Sequence, residues 1–141
     1  VTRPVRVLLV EDNPGDADLT RDTLEDSARR LEISVVVDGA EATDFLLQRG
    51  AHPTAAPPDL VILDLNLPRM DGHAVLAEIQ RHRQLSTIPV VVWTSSDAEH
   101  DIVRSYANGA RCYVTKPVDL ATFQARVRAI EQFWLEIAKL P

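Results

Sequence analysis

Apolar residues along the chain follow two alternating rhythms. Five short β-branched runs, at residues 5–10, 33–37, 60–65, 88–94 and 111–115, are mostly continuous Val, Ile and Leu. That is the pattern of parallel strands covered on both faces, where the strict alternation of half-exposed strands disappears. Between these runs apolar residues recur three or four apart: Ala17, Thr20, Leu24, Ala28 and Leu31; Ala42, Phe45 and Leu46; Val75, Leu76 and Ile79; Ile102, Val103, Tyr106, Ala107 and Ala110. A last stripe, Leu120, Phe123, Val127, Ile130, Trp134 and Ile137, runs unbroken near the end. These spacings predict helices with one buried face.

Punctuation agrees with the rhythm. Asn13-Pro14 offers a capping side chain before a proline at the first helical position. Ser96 and Glu99 have capping-box spacing, Asp119 can cap the last helix, and Gly50 and Gly109 sit where the second and fourth helices should end. Five β–α units predict an α/β fold: a doubly wound five-stranded parallel sheet of the flavodoxin-like order 2-1-3-4-5, (βα)5, with right-handed crossovers. The segment at residues 51–58, rich in Ala and Pro, reads as a surface loop. A final helix over residues 120–138 would measure roughly 28 Å at about 1.5 Å per residue, against a strand of about 17–20 Å. Its last turns should overhang the sheet, and Phe133, Trp134, Ile137 and Leu140 become candidates for a homodimer contact.

Composition narrows the classes. The 141 residues fit one domain, and 45% hydrophobic content is too high for disorder. No apolar run is long enough for a membrane span and no N-terminal segment reads as a signal peptide. A net charge of −6 argues against a nucleic-acid partner, which selects basic surfaces. The single cysteine, Cys112, excludes an intramolecular disulfide, consistent with a cytoplasmic protein, and reads as a small core residue. The histidines at 52, 73, 82 and 100 fall in a loop and three helices without ligand spacing, so no zinc site is expected.

Open α/β sheets bind ligands beyond the carboxyl ends of their strands, where the strand order reverses. The first strand ends in Glu11-Asp12, the third in Asp64, the fourth in Thr94 and the fifth in Lys116-Pro117. Three carboxylates meeting in one crevice repel each other unless a cation intervenes. An all-oxygen set suits Mg²⁺ or Mn²⁺. Three negative charges, Lys116 and a divalent ion sum to zero, leaving a site able to accept a phosphoryl group. Lys116 supplies a point charge for it, Thr94 a hydroxyl, and Asp64 a nucleophilic carboxylate.

These residues resemble the receiver domain of two-component response regulators. The motifs are Leu9-Val10-Glu11-Asp12-Asn13, Leu63-Asp64-Leu65-Asn66-Leu67-Pro68, Met70-Asp71-Gly72, Thr94-Ser95 and Lys116-Pro117. The resemblance covers the whole chain, residues 1–141, as one receiver domain. It implies that Asp64 accepts a phosphoryl group from a sensor histidine kinase. Asp12 then ligates the metal directly, Glu11 helps through water, and Asn66 lends its backbone carbonyl. It further implies a cis bond before Pro117, phosphoryl-oxygen contacts from Thr94 and Lys116, and a switch pair of Thr94 and Tyr113. Asn66 and Ser96, flanking the site, would help set the lifetime of the phosphorylated state. Asn13-Pro14-Gly15-Asp16, residues 112–119 and the ending Phe133-Trp134 with Lys139-Leu140-Pro141 look like the stand-alone regulators partnered with bacterial phytochromes. That implies a phytochrome kinase as partner. With no further domain after the last helix, the expected output is a protein contact, and self-dephosphorylation the sole intrinsic turnover.

Rival functions differ at named residues. A dehalogenase-like phosphohydrolase needs a second Asp two residues after its nucleophile on the first strand, where this chain has Pro14. A flavin carrier needs phosphate-binding backbone donors after that strand, where Glu11, Asp12 and Asp16 repel phosphate. A phosphorylation-independent binding module has no use for the full set of Glu11, Asp12, Asp64, Thr94 and Lys116.

Overall fold

The computed structural model describes residues 3–141. Strands β1 (Val5–Val10), β2 (Leu31–Val36), β3 (Leu60–Leu63), β4 (Val90–Thr94) and β5 (Cys112–Thr115) form one parallel sheet in the order β2-β1-β3-β4-β5. The predicted order is therefore observed. The central strands β3 and β4 are buried throughout, whereas edge strand β5 is half-buried.

Alternation along β1 divides the core. Leu8 and Val10 face one layer with Val61, Leu63 and Val92, beneath helices α2 (Gly39–Leu46) and α3 (Gly72–Gln80). Val7 and Leu9 face the other with Ile62, Val91 and Trp93, beneath α1 (Pro14–Glu25) and the late helix. In that second layer Trp93 meets Phe123 edge-to-face at 4.9 Å and its indole N–H donates to Thr20 Oγ1 at 3.2 Å.

Helix starts follow side-chain chemistry. Asn13 accepts from the Asp16 N–H, Asp38 from Glu41, Asp71 from Ala74, and Asp119 from Thr122. A four-residue helix, α4 (Arg83–Ser86), lies between α3 and β4, with His82 at its N-cap rather than inside a helix. Helix α5 (Glu99–Ala107) departs from the capping-box expectation. Its N-cap is Ala98, and the Ser96 hydroxyl instead donates to Asp101 Oδ2 at 2.6 Å. Nor is its apolar stripe buried as a face, since Val103 and Tyr106 are exposed while Ser105 is buried. Gly109 closes this helix at φ 93°, a conformation L side chains resist. Beyond α2, Gln48 and then Gly50 turn left-handed, so the helix stops earlier than Gly50 suggested.

The last helix corrects the longest extrapolation. Helix α6 (Leu120–Glu131) widens into a π-helical turn at Gln132–Ile137, closed by the Ala138 N–H donating to the Phe133 carbonyl at 2.7 Å. The widened turn breaks the phase of the stripe. Leu135 becomes fully buried, Trp134 and Leu140 pack half-buried on the core, and Leu120, Phe133 and Ile137 stay exposed. Arg29 Nη1 donates to the Leu135 carbonyl at 2.9 Å, and Ser27 Oγ donates to Glu131 Oε2 at 2.9 Å. The expected overhang is thus folded back in part. Among the described residues no helix is long and apolar enough to cross a membrane.

Candidate functional site

Parallel pairing brings the strand ends to one rim: Val10 lies opposite Leu63, Leu63 opposite Val92, and Thr94 opposite Thr115. Glu11 follows Val10, Asp64 follows Leu63 and Lys116 follows Thr115, while Thr94 is itself the last residue of β4. Glu11 and Asp64 are buried and Asp12 is exposed, and a carboxylate oxygen from each lies within 4.8 Å of the other two. Hard oxygen donors in this number fit Mg²⁺ or Mn²⁺, with room for waters on the exposed Asp12 side.

Lys116 reaches the same rim from the end of β5. Its Nζ donates to Glu11 Oε1, to Asp64 Oδ2 at 3.1 Å and to Asp16 Oδ2 at 3.1 Å. Every peptide bond among the described residues is trans, so the expected cis bond before Pro117 is not found. The trans form of an X–Pro bond is favoured by about 0.5–1 kcal/mol, and Lys116 Nζ meets the three carboxylates with that bond trans.

Electrostatics reflect burial. Glu11 has its pKa pushed up to about 7, because burial outweighs its hydrogen bond and attraction to Lys116. Burial pulls the Lys116 ammonium down, but Asp64 and Glu11 more than offset this and raise it. Backbone N–H groups steady the acids: Asn13 donates to Glu11 Oε2 and Asn66 to Asp64 Oδ1, both at 3.2 Å. Asn66 itself is exposed beside Asp64. Gly72 allows α3 to start against this rim, since a Cβ there would stand 2.4 Å from the Asp64 carbonyl oxygen.

Thr94 is fully buried, and its Oγ1 has no hydrogen-bond partner among the described residues. An orphaned hydroxyl at a strand end is costly unless a ligand accepts from it. Tyr113 packs half-buried against the first core layer, and its hydroxyl donates to the Ser96 carbonyl at 2.7 Å. Burial also raises the pKa of that hydroxyl.

Two contacts are not given by the strand-end rule. Asp16 contacts Lys116 through the first turn of α1; the Asn13-Pro14 helix start was the available signal, because it fixes which first-turn side chains face the strand end. His73 is buried on α3 and its Nε2 meets Asp101 Oδ1 on α5 at 2.9 Å. No spacing marks that pair, since 28 residues separate its members.

Comparisons with known proteins agree with this geometry. The chain is 43% identical over 138 residues to response regulator Rcp1 of Synechocystis sp., covering 98% of this chain and 94% of the relative. It is 38% identical over 133 residues to the probable methanogenesis regulatory protein FilR2 of Methanothrix harundinacea, covering 94% and 84%. The crystal structure of the phosphorylated cyanobacterial phytochrome response regulator RcpA superposes with a TM-score of 0.95 at 44% identity, covering 99% of both chains. That of the Mn²⁺-bound form of Rcp1 gives 0.95 at 43%, covering 98% and 99%. The response regulator receiver domain model matches residues 7–128, from within β1 to within α6, so the sheet that gathers these acids, the hydroxyl and the lysine belongs to the receiver-domain family.

Proposed function

We propose that the protein is a phosphorylation switch in which Asp64 takes a phosphoryl group from the phosphohistidine of a sensor histidine kinase. A carboxylate oxygen of Asp64 attacks the phosphorus in line. A P–O bond forms as the P–N bond breaks, and the electron pair leaves on the kinase imidazole. The observation that carries this reading is the pairing around Asp64 of an orphaned Thr94 hydroxyl with a buried ammonium 3.1 Å away. Both are donors suited to phosphoryl oxygens.

Glu11, Asp12, Asp64 and the backbone carbonyl of Asn66 would hold Mg²⁺ or Mn²⁺. When bound, the ion supplies neutralising charge for the phosphoryl oxygens. Reversal is hydrolysis: water attacks the phosphorus, the aspartyl–phosphate bond breaks, and inorganic phosphate leaves. We assign no other turnover, so the chain acts as a switch rather than as an enzyme on a separate substrate. Thr94 and Tyr113 form the switch pair. Tyr113 is tethered through Ser96 to the loop that opens α5, and the exposed Val103 and Tyr106 on that helix supply a surface whose contacts can change.

Residues 1–141 are read as one cytoplasmic receiver domain. Similarity to phytochrome regulators, including RtBRR at 39% and AtBRR at 38% identity, supports a phytochrome as the kinase. A homodimer would use Phe133, Trp134, Ile137 and Leu140, of which Phe133 and Ile137 are exposed.

Incubation with acetyl phosphate and Mg²⁺ tests the core of this reading. One acid-stable, base-labile phosphoryl group per chain is expected, absent in Asp64→Asn and after chelation of the metal. Catalytic release of phosphate from esters, or labelling that survives Asp64→Asn, would overturn it.

A further inference from the structure

An ammonium has three N–H donors and no acceptor. On Lys116 all three are committed, to Glu11 Oε1, Asp64 Oδ2 and Asp16 Oδ2. A phosphoryl oxygen arriving at Asp64 therefore finds no free donor on Lys116 unless one present partner withdraws.

The three partners are not equally free to go. The Glu11 and Asp64 side chains are 1% and 8% exposed, and each is also held by a backbone N–H. The Asp16 side chain is 33% exposed at the mouth of the site, and Lys116 is its sole hydrogen-bond partner among the described residues. Withdrawal of a buried acid strands it away from water, whereas Asp16 swings into solvent and is rehydrated. Its backbone stays fixed meanwhile, because the Asp16 N–H is tied to the Asn13 cap.

Asp16 also revises the charge balance. Four carboxylates and one ammonium give −3, so a divalent ion leaves the site at −1 rather than neutral. Departure of Asp16 restores the neutral site into which the phosphoryl group fits.

We propose that Asp16 is a placeholder on Lys116, holding in the unphosphorylated protein the N–H that a phosphoryl oxygen takes over, and leaving when Asp64 is modified. This rests on the reading of Asp64 as phosphoacceptor and Lys116 as phosphoryl ligand. Asp16 is thus a positioning residue that sets how readily the switch is thrown. Without it Lys116 carries a free donor in advance, and the phosphorylated state gains relative to the unmodified one.

Beryllofluoride, in the presence of Mg²⁺, mimics the phosphoryl group and serves as the probe. Its affinity is measured for the wild type, Asp16→Ala, Asp16→Asn and Asp16→Glu, with thermal unfolding as a check on folding. Given the strength of a partly exposed charge-assisted pair, Asp16→Ala should bind roughly three- to tenfold more tightly. Asp16→Asn should shift in the same direction by less, and Asp16→Glu should stay near the wild type. Damage to the fold weakens binding, so tightening distinguishes the placeholder from a structural role, and Asp16→Asn preserves the shape should Asp16→Ala not fold. In a crystal structure of the wild-type beryllofluoride complex, the Asp16 carboxylate should lie beyond hydrogen-bond reach of Nζ, about 3.5 Å. Unchanged or weaker binding in well-folded Asp16 variants, or an Asp16–Lys116 bond that persists in the complex, overturns the proposal. A wild type that neither binds beryllofluoride nor is labelled at Asp64 overturns instead the reading on which it rests.

Discussion

Glu11 is where burial and charge oppose each other most directly. Its carboxyl titrates near 7 instead of its ordinary 4.5 because a nearly waterless position penalises the anion more than Lys116 rewards it. The folded state therefore holds a proton that the unfolded chain releases at lower pH. The stability this confers on the metal-free protein is fully present below about pH 4.5 and is lost as pH rises through about 7. A divalent cation needs the ionised form, so it competes with that proton. Affinity for Mg²⁺ should climb with pH between about 5.5 and 7 and level off above, as measured by calorimetric titration with proton release recorded in two buffers. A flat profile would show that Glu11 does not contribute to the cation site. Asp16 stands as a contrast at this scale, since its influence comes from exposure: it is the acid that can leave. Neither property is written in residue type. The sequence shows acids at strand ends, but which of them is dry, and which faces the ammonium, depends on how deep each strand end lies.

At the level of elements, one buried imidazole joins two helices that are far apart in the chain. His73 on α3 meets Asp101 on α5, and Asp101 also accepts from Ser96, whose carbonyl holds the Tyr113 hydroxyl. Those contacts hold Asp101 below the usual carboxylate range, the Ser96 hydroxyl first and His73 next. A depressed acid stabilises the fold above its unfolded pKa and loses that contribution as pH falls through the folded value. Replacing His73 by Ala removes a hydrogen bond to a charged group. It should cost about 1.5–3 kcal/mol in urea unfolding at neutral pH, with a smaller further loss on acidification than in the wild type. His73→Gln should recover part of it, and a change within about 0.5 kcal/mol, the scale of ordinary surface substitutions, would show that the pair does not link the helices. Elements themselves were largely legible: β1 is found at the predicted residues, and Asn13 and Asp119 cap their helices as expected. Strands and caps are local signals, so they can be read without a fold. The Ser96 cap failed for the opposite reason, because its hydroxyl is claimed by an acid on the following helix. The short α4 is one turn long, too brief for any periodicity.

Taken whole, the molecule is a sheet covered by helices on both faces, with its β5 edge only half-buried. The site rim is polar and converging, while β5, the sheet edge, and the end of α6 leave apolar surface uncovered. A groove of about 560 Å³ lies there, bounded by Cys112 and Val114 on the strand and by Ile130, Phe133 and Trp134 beyond. Periodicity could mark the last stripe as apolar but could not assign its residues to inside or outside, because the π-helical turn shifts their phase midway. That turn separates two roles which a continuous helix would have merged. Leu135, fully buried, serves the core, so Leu135→Ala should cost about 2–5 kcal/mol through cavity formation. Phe133, two residues earlier and half exposed, touches the core far less, and Phe133→Asp should leave the unfolding midpoint nearly unchanged. If the proposed homodimer uses this surface, Phe133→Asp places an unpaired charge in an apolar contact and should convert dimer to monomer in sedimentation velocity at micromolar concentration. A wild type that sediments as a monomer with and without beryllofluoride rules out the dimer. A Phe133→Asp variant that stays dimeric moves the contact away from this end of the molecule, towards the exposed Val103 and Tyr106 of α5.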